Sequence, residues 1–159
     1  MALRVVVVIP TLNEEKAIGE VIDGLKDSLR AYDYQVLVVD GHSKDRTVES
    51  ASGRGATVIY QDNTGYGDAL LTGFRHSKGR LSADAIAMLD GDGTYDPRDL
   101  PRILQPLLEG KADFVIGNRL ERLEKGTMTF TNRVGNRLLS WVTSGILKIK
   151  AGDTQCGFR

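Results

Sequence analysis

Short apolar segments alternate with segments of helical periodicity along this chain, and that alternation limits the fold more than any other feature. The first apolar segment, Leu3–Ile9, is an unbroken run rich in valine, which is typical of a parallel strand covered on both faces. The further predicted strands are Tyr34–Val39, Thr57–Tyr60, Ala85–Leu89 and Phe114–Ile116. Alternation with short links predicts an α/β fold, a mostly parallel sheet with helices on both faces.

The helices are predicted from capping signals and from apolar residues at helical spacing. Pro10 is expected to end the first strand, and Thr11 and Glu14 match the S/T-x-x-E capping box, so a helix is predicted to begin there. Its predicted apolar face consists of Ile18, Val21, Ile22, Leu25 and Leu29. Other helices are predicted through Thr47 and Ala51, over Ala69–His76, over Leu100–Leu108 with Asp96 as a cap, and over Thr131–Lys148.

The predicted strand Ala85–Leu89 ends in the acidic sequence Asp90-Gly91-Asp92-Gly93. Two carboxylates one residue apart are costly unless a cation lies between them. Carboxylate oxygens are hard ligands that suit Mg²⁺ or Mn²⁺, and such ions commonly bridge a carboxylate to phosphates. The alternative is an acidic, solvated turn, and this stretch alone leaves both interpretations open.

Polar residues also follow two other predicted strands, at Pro10–Glu14 and at Asp40. The carboxyl ends of parallel strands lie along one edge of a sheet, where ligands bind in open α/β folds. The chain has no G-x-x-x-x-G-K-[ST] sequence and no G-x-G-x-x-G after its first strand, which argues against a P-loop NTPase and a standard dinucleotide fold. A nucleotide site built from strand-end carboxylates is the better prediction.

The charge of the chain is balanced overall but unevenly distributed. There are 21 basic and 21 acidic residues, yet residues 1–110 carry 12 Lys and Arg against 17 Asp and Glu, whereas residues 111–159 carry 9 against 4. A basic C-terminal third suggests an anionic partner, either a phosphate or a membrane surface. The single cysteine, Cys156, excludes an intrachain disulfide.

Seven short motifs occur in a fixed order along the chain. They are Val8–Glu14, Val38–Thr47, Gly65–Gly67, Asp90–Pro97, Gly117–Arg119, Asn132–Asn136 and Asp153–Arg159. In this order they resemble the family 2 inverting glycosyltransferases of GT-A fold, and within them the dolichol-phosphate mannose or glucose synthase branch. The resemblance implies one catalytic domain over residues 1–159, with a nucleotide-sugar-binding part at 1–118 and an incomplete acceptor-side part at 119–159.

The resemblance also implies a role for each matching position. The residues expected to line the nucleobase and ribose pocket are Pro10, Leu12, Glu14 and Asp40. Asp90 and Asp92 would hold Mg²⁺ or Mn²⁺ on the donor diphosphate, with Asp90 also on the donor side of the site. Arg119 and Arg133 would contact the acceptor phosphate.

The implied reaction moves mannose or glucose from GDP-mannose or UDP-glucose to a polyprenyl phosphate such as dolichyl phosphate, with inversion. A phosphate monoester is already anionic near neutral pH, so it needs a cationic cradle more than a general base. The basic C-terminal third is expected to supply that cradle. The expected location is the cytoplasm or the cytoplasmic face of a membrane, with peripheral membrane contact and no nucleic-acid partner.

The sequence departs from the family pattern at several positions. Only the first aspartate of the usual Asp-Asp-Gly-Ser remains, at Asp40, while Asp68 lies in the glycine loop and Thr94 stands where many relatives carry glutamine. Relatives also continue beyond the position of Arg159. Two alternatives therefore stay open: a nucleotide-sugar-binding domain without turnover, and a family 2 transferase acting on a glycan hydroxyl. A sugar nucleotidyltransferase is set aside, because its glycine- and lysine-rich first loop is missing after Ile9.

Overall fold

The computed structural model describes residues 3–117 and 157–158 of the chain. Within that part, four strands alternate with helices. The elements are β1 (Arg4–Thr11), α1 (Ile18–Ser28), β2 (Asp33–Asp40), α2 (Thr47–Gly53), β3 (Thr57–Tyr60), α3 (Tyr66–Gly79), β4 (Ala85–Met88), a 3₁₀ turn (Pro97–Asp99) and α4 (Leu100–Leu108).

The four strands form one sheet in the order β3-β2-β1-β4, and every pairing is parallel. Val8 of β1 lies opposite Leu37 on one side and Met88 on the other. All five residues of Val5–Ile9 are fully buried, which explains why this strand is an unbroken apolar run. The predicted α/β fold with a parallel sheet is confirmed.

Alternate residues of β1 face two separate apolar layers, because side chains along a strand point to opposite faces. Val7 packs in a cluster with residues of α1 and α4, and Val8 packs in a second cluster that includes Ala69 of α3. At Gly73, α3 lies so close to the sheet that an added Cβ would be 2.5 Å from a methyl carbon of Val8. Helices therefore cover both faces, as predicted.

The first strand and the first helix differ from their predicted boundaries. β1 continues through Pro10 to Thr11, with Pro10 opposite Val39 of β2. The pairing of β1 with β4 ends at Val8. Pro10 therefore needs no N–H to bond with β4. α1 begins only at Ile18 and has no side-chain cap, so the predicted capping box is wrong.

The predicted fifth strand does not form either. Phe114–Ile116 has no strand conformation, and Phe114 is 63% exposed. The N–H of Gly117 instead donates to the carbonyl oxygen of Phe158 at 2.9 Å, which ties this segment to a distant part of the chain rather than to the sheet. Asp96 does cap the 3₁₀ turn, as its side chain accepts from the N–H of Arg98. The predicted helix over Thr131–Lys148 lies outside the described residues.

Candidate functional site

A cavity of about 380 Å³ opens at the carboxyl ends of the strands. This size lies within the range of small-molecule binding sites. It is lined by Pro10, Thr11, Leu12, Glu14, Gly41, Gln61, Gly65, Tyr66, Ala69, Asp90, Gly91 and Asp92. Its walls therefore come from the residues that end or follow all four strands and from the first turn of α3. Its position is the one at which open parallel sheets bind ligands.

The two carboxylates after β4 are held by hydrogen bonds that leave part of each group available. Asp90 Oδ1 accepts from the hydroxyl of Tyr66 at 2.8 Å, and Asp92 Oδ1 accepts from the backbone N–H of Thr94 at 2.8 Å. Asp92 is exposed and Asp90 is half-buried. The hydroxyl bond fixes the direction of one carboxylate, and the turn at Thr94 fixes the other.

Gly157 and Phe158 pack against this acidic turn. The N–H of Gly157 donates to the hydroxyl of Tyr95 at 2.7 Å, and the buried ring of Phe158 lies 5.6 Å from the ring of Tyr95. A Cβ at Gly157 would be 2.5 Å from Asp90 Oδ2, so any larger residue there would displace that carboxylate. The resemblance assigned this segment to the acceptor side, and the structure places these two residues beside the predicted metal ligands.

Negative charge is concentrated at this end of the cavity. Burial raises the pKa of Glu14 above its ordinary 4.5, and the negative charges of Asp92, Asp45 and Asp90 raise it further. A divalent cation would relieve that repulsion, and carboxylate oxygens suit Mg²⁺ or Mn²⁺.

Few protein ligands are available for such a cation. Within residues 3–117 and 157–158, no three His, Cys, Asp or Glu side chains are close enough to form a metal-binding group. Mg²⁺ commonly binds through one or two carboxylates and completes its shell with water and phosphate oxygens, so Asp90 and Asp92 fit that mode.

Asp40 differs from its predicted position. Its side chain is fully buried, and it accepts hydrogen bonds from Thr11 Oγ1 at 3.0 Å, from the N–H of Ser43 at 2.7 Å and from Ser43 Oγ at 2.6 Å. It lies behind the lining rather than in it, while its neighbour Gly41 lines the cavity. The observed role of Asp40 is to fix the turn after β2, and a direct contact with a nucleotide stays a prediction.

Asp68, which departs from the family pattern, also has a structural role. Its carboxylate accepts from the backbone N–H of Asn63 at 2.7 Å and from Asn63 Nδ2 at 3.0 Å. Those bonds, the side-chain one foremost, lower the pKa of Asp68. They also brace the loop that leads to Gly65, whose φ of 98° favours glycine and which precedes the first turn of α3.

The sequence profile described as Glycosyl transferase family 2 matches residues 6–151, a span that includes every residue of the cavity. The chain belongs to glycosyl transferase family 2. This family 2 chain is 41% identical to Glycosyltransferase AglJ of Haloferax volcanii over 155 residues, which are 98% of this chain and 49% of that protein. A second relative, from Methanococcus voltae, is named UDP-N-acetylglucosamine--dolichyl-phosphate N-acetylglucosaminyltransferase. It is 29% identical over 171 residues, with 96% of this chain and 66% of that protein covered. The family 2 chain thus spans about half the length of the first relative and less than the full length of the second.

Solved structures of glucosyl-3-phosphoglycerate synthase from Mycobacterium tuberculosis share the fold of this family 2 chain. Its complex with UDP aligns over 98% of this chain and 55% of that chain, with 26% identity and a TM-score of 0.67. Its complex with Mn²⁺, UDP and glucosyl-3-phosphoglycerate aligns over 67% of this chain and 40% of that chain, with 30% identity and a TM-score of 0.56. The predicted GT-A fold is therefore confirmed.

The structure describes some of the remaining predicted site residues and not others. Pro10, Leu12 and Glu14 line the cavity together with both metal candidates, but their contacts with a nucleotide stay predictions. Arg119 and Arg133 lie outside the described residues. No helix among the described residues is long and apolar enough to cross a membrane.

Gln61 and Tyr66 are among the lining residues to which the sequence analysis assigns no role, although Tyr66 lies within the motif Gly65–Gly67. The signal for Gln61 was present, since it directly follows a predicted strand. The rule that places ligands at strand ends therefore covers Gln61 as well as the residues after the other three strands. The hydrogen bond between Tyr66 and Asp90 joins residues 24 apart and has no local sequence signal.

Proposed function

We propose that this family 2 chain binds a nucleotide-diphosphate hexose and takes part in transferring the hexose, with inversion, to the phosphate of a polyprenyl lipid. One observation carries the proposal. A single cavity has the carboxylates of Glu14, Asp90 and Asp92 at its acidic end and uncharged groups at its β3 end, which matches a donor with an anionic diphosphate and a neutral base.

The donor diphosphate would lie at the acidic end with a cation. Asp90 and Asp92 would hold Mg²⁺ or Mn²⁺, which when bound offsets the negative charge of the leaving diphosphate. Tyr66 orients Asp90 through its hydroxyl, and Gly157 backs the other carboxylate oxygen. The first turn of α3 also lines the cavity, and the N-terminal end of a helix favours phosphate.

The acceptor in this proposal is an anion. A lipid phosphate monoester has a second pKa of about 6, so it attacks the anomeric carbon without first losing a proton to a protein base. Two approaching anions repel each other, and the excess of basic residues after residue 110 supports a cationic acceptor side. Arg119 and Arg133 are proposed as its contacts, because a guanidinium binds phosphate bidentately. The dolichyl-phosphate relative supports this class of acceptor.

The proposed division places nucleotide-sugar binding in residues 1–118 and acceptor binding in residues 119–159, at the cytoplasmic face of a membrane. The donors to test are UDP-glucose, GDP-mannose and UDP-N-acetylglucosamine. The first two are implied by the family resemblance, and the third is supported by the relative from Methanococcus voltae.

The test incubates the chain with each donor, Mn²⁺ and undecaprenyl or dolichyl phosphate in detergent micelles, and measures sugar extracted with the lipid. We expect transfer from at least one donor, with an anomeric configuration opposite to that of the donor. Asp92→Ala should abolish transfer, and Asp99→Ala, an exposed carboxylate on the 3₁₀ turn, should not change it. Donor binding without transfer to any lipid phosphate would favour the binding-domain alternative.

A further inference from the structure

Gln61 is an uncharged polar residue held in a fixed orientation in the wall of the cavity. It directly follows β3, its backbone N–H donates to the carbonyl oxygen of Asp40 at 3.1 Å, and the residue is only 9% exposed. Side-chain Nε2 donates to the carbonyl oxygen of Asn63 at 2.8 Å. A carbonyl oxygen only accepts, so this bond decides which end of the amide is nitrogen. The oxygen end, Oε1, is therefore fixed as an acceptor.

A short relay keeps the amide from turning over. Asn63 is itself held at its N–H and at its side-chain nitrogen by the carboxylate of Asp68. Oε1 of Gln61 lies 3.5 Å from the point where a Cβ of Gly41 would be, next to the carbonyl oxygen of Thr11 at 3.3 Å and Cδ1 of Leu12 at 3.4 Å from the same point. Gln61 and Gly41 both line the cavity. The relay Asp68–Asn63–Gln61 thus fixes the orientation of a hydrogen-bond acceptor on a residue that lines the cavity.

The position of Gln61 along the cavity indicates which part of a donor it faces. The strand order β3-β2-β1-β4 puts Gln61 three strand spacings from Asp90. Neighbouring strands are about 4.8 Å apart, so the two residues lie roughly 14 Å apart along the row of strand ends. An elongated donor with its diphosphate at Asp90 would place its base near Gln61.

Asp40, which was predicted to bind the base, already uses its carboxylate for hydrogen bonds within the protein at this end of the cavity. Its carboxylate is fully buried and accepts three hydrogen bonds, from Thr11 and from Ser43. Gln61, by contrast, is a residue of the lining itself and carries a side-chain acceptor.

On the basis of the proposed function, we propose that Gln61 selects the nucleobase by accepting a hydrogen bond from a ring N–H. Uracil N3 and guanine N1 carry such a hydrogen, whereas cytosine N3 and adenine N1 are acceptors. Because Asn63 prevents the amide from turning over, an acceptor on the base would face the acceptor Oε1 and be repelled. Gln61 therefore favours uridine and guanosine nucleotides over cytidine and adenosine nucleotides.

The test measures binding by calorimetry with Mn²⁺ for wild type, Gln61→Ala and the matched control Gln35→Ala. Gln35 is a half-buried glutamine near the opposite end of the same sheet, bonded to Thr57. The probes are UDP, GDP, CDP, their ring-methylated analogues 3-methyl-UDP and 1-methyl-GDP, and inorganic pyrophosphate. Pyrophosphate reports on the acidic end alone.

We expect Gln61→Ala to weaken binding of UDP or GDP by about threefold to tenfold, the usual effect of one neutral hydrogen bond. Pyrophosphate affinity should not change, and Gln35→Ala should match wild type for every probe. Ring methylation should weaken binding to wild type but add little to the effect of Gln61→Ala, because both changes remove the same bond. Asp68→Ala should reduce the preference for UDP over CDP.

Two results would overturn this inference and leave the proposed function standing. One is an equal loss of nucleotide and pyrophosphate affinity in Gln61→Ala, which would make the residue structural. The other is a methylation penalty that is the same in wild type and Gln61→Ala. If wild type binds no nucleotide with Mn²⁺, the proposed function fails, and this inference fails with it.

Discussion

Asp40→Ala is expected to destabilise the fold before it has any effect on ligand binding. The carboxylate is fully buried, and three donors converge on it, from Thr11 Oγ1, Ser43 N and Ser43 Oγ. Alanine removes the acceptor for all three. It also releases the link between the end of β1 and the turn after β2, two walls of the cavity.

The size of the effect follows from what each donor does after the substitution. Hydrogen bonds to charged groups contribute about 1.5–3 kcal/mol each. Thr11 is only 5% exposed, so its hydroxyl loses its partner without gaining water. Ser43 is half-buried, so water partly replaces its two bonds. We therefore expect a loss of about 3–5 kcal/mol, a large part of the roughly 5–15 kcal/mol that stabilises a typical domain.

Urea unfolding followed by circular dichroism measures this loss. With a slope of about 2 kcal/mol per molar, the midpoint should fall by about 1.5–2.5 M. Asp33→Ala is the matched control, because Asp33 is an exposed aspartate at the first position of the same strand, where a change of at most about 0.5 kcal/mol is usual. If both variants unfold at the wild-type midpoint while only Asp40→Ala loses nucleotide affinity, the structural account of Asp40 is refuted.

Two further substitutions test the acidic end of the cavity. Glu14→Gln removes a carboxylate whose pKa is raised by burial and by neighbouring negative charge. The free energy of unfolding of the metal-free protein should therefore rise by about 0.2–1 kcal/mol, which thermal melts would measure. The Mn²⁺ affinity should fall, which calorimetry would measure. Because folding raises this pKa, the folded state holds the proton more tightly. The Glu14 contribution to the unfolding free energy should therefore fall as pH rises from 4.5 through the raised pKa, and the wild-type profile minus that of Glu14→Gln should show it. Gly157→Ala places a methyl group 2.5 Å from Asp90 Oδ2 and should weaken Mn²⁺-dependent UDP binding, whereas Gly79→Ala, with open space around it, should not. Unchanged binding in Gly157→Ala would contradict the packing described behind Asp90.

The strands were predictable because burial on both faces leaves a strong local signal. A run of five apolar residues such as Val5–Ile9, all fully buried here, is typical of an interior parallel strand and fits few other structures. The prediction of a capping box was wrong because the hydroxyl of Thr11 has a partner far along the chain. It donates to the carboxylate of Asp40 and does not cap a helix. The prediction of a strand at Phe114–Ile116 was wrong because an apolar run of three residues carries little information about which strand it would pair with. The hydrogen bond from Gly117 to Phe158 fixes the position of the backbone there.

The site was partly predictable for the same reasons. Strand ends located the acidic turn and the wall at Pro10–Glu14. The face of the sheet to which the side chain of Asp40 points was also predictable. Asp40 continues the alternate positions Val36 and Val38, and both of these face the layer of α1 rather than that of α3. The position of Gly157 behind Asp90 was not, since it depends on chain folding over a long separation.

That long separation has a consequence for the order of events during synthesis. Gly157 is joined to Tyr95 across 62 residues. At about 5–20 residues per second, roughly 3–12 s pass on the ribosome between the appearance of the acidic turn and that of the residue behind it. The four strands in the described part of the chain all precede Gly157, so they can pair while Asp90 still lacks the residue behind it. On a nascent chain, the cation binding proposed at Asp90 would therefore follow the assembly of the sheet as a separate, later step.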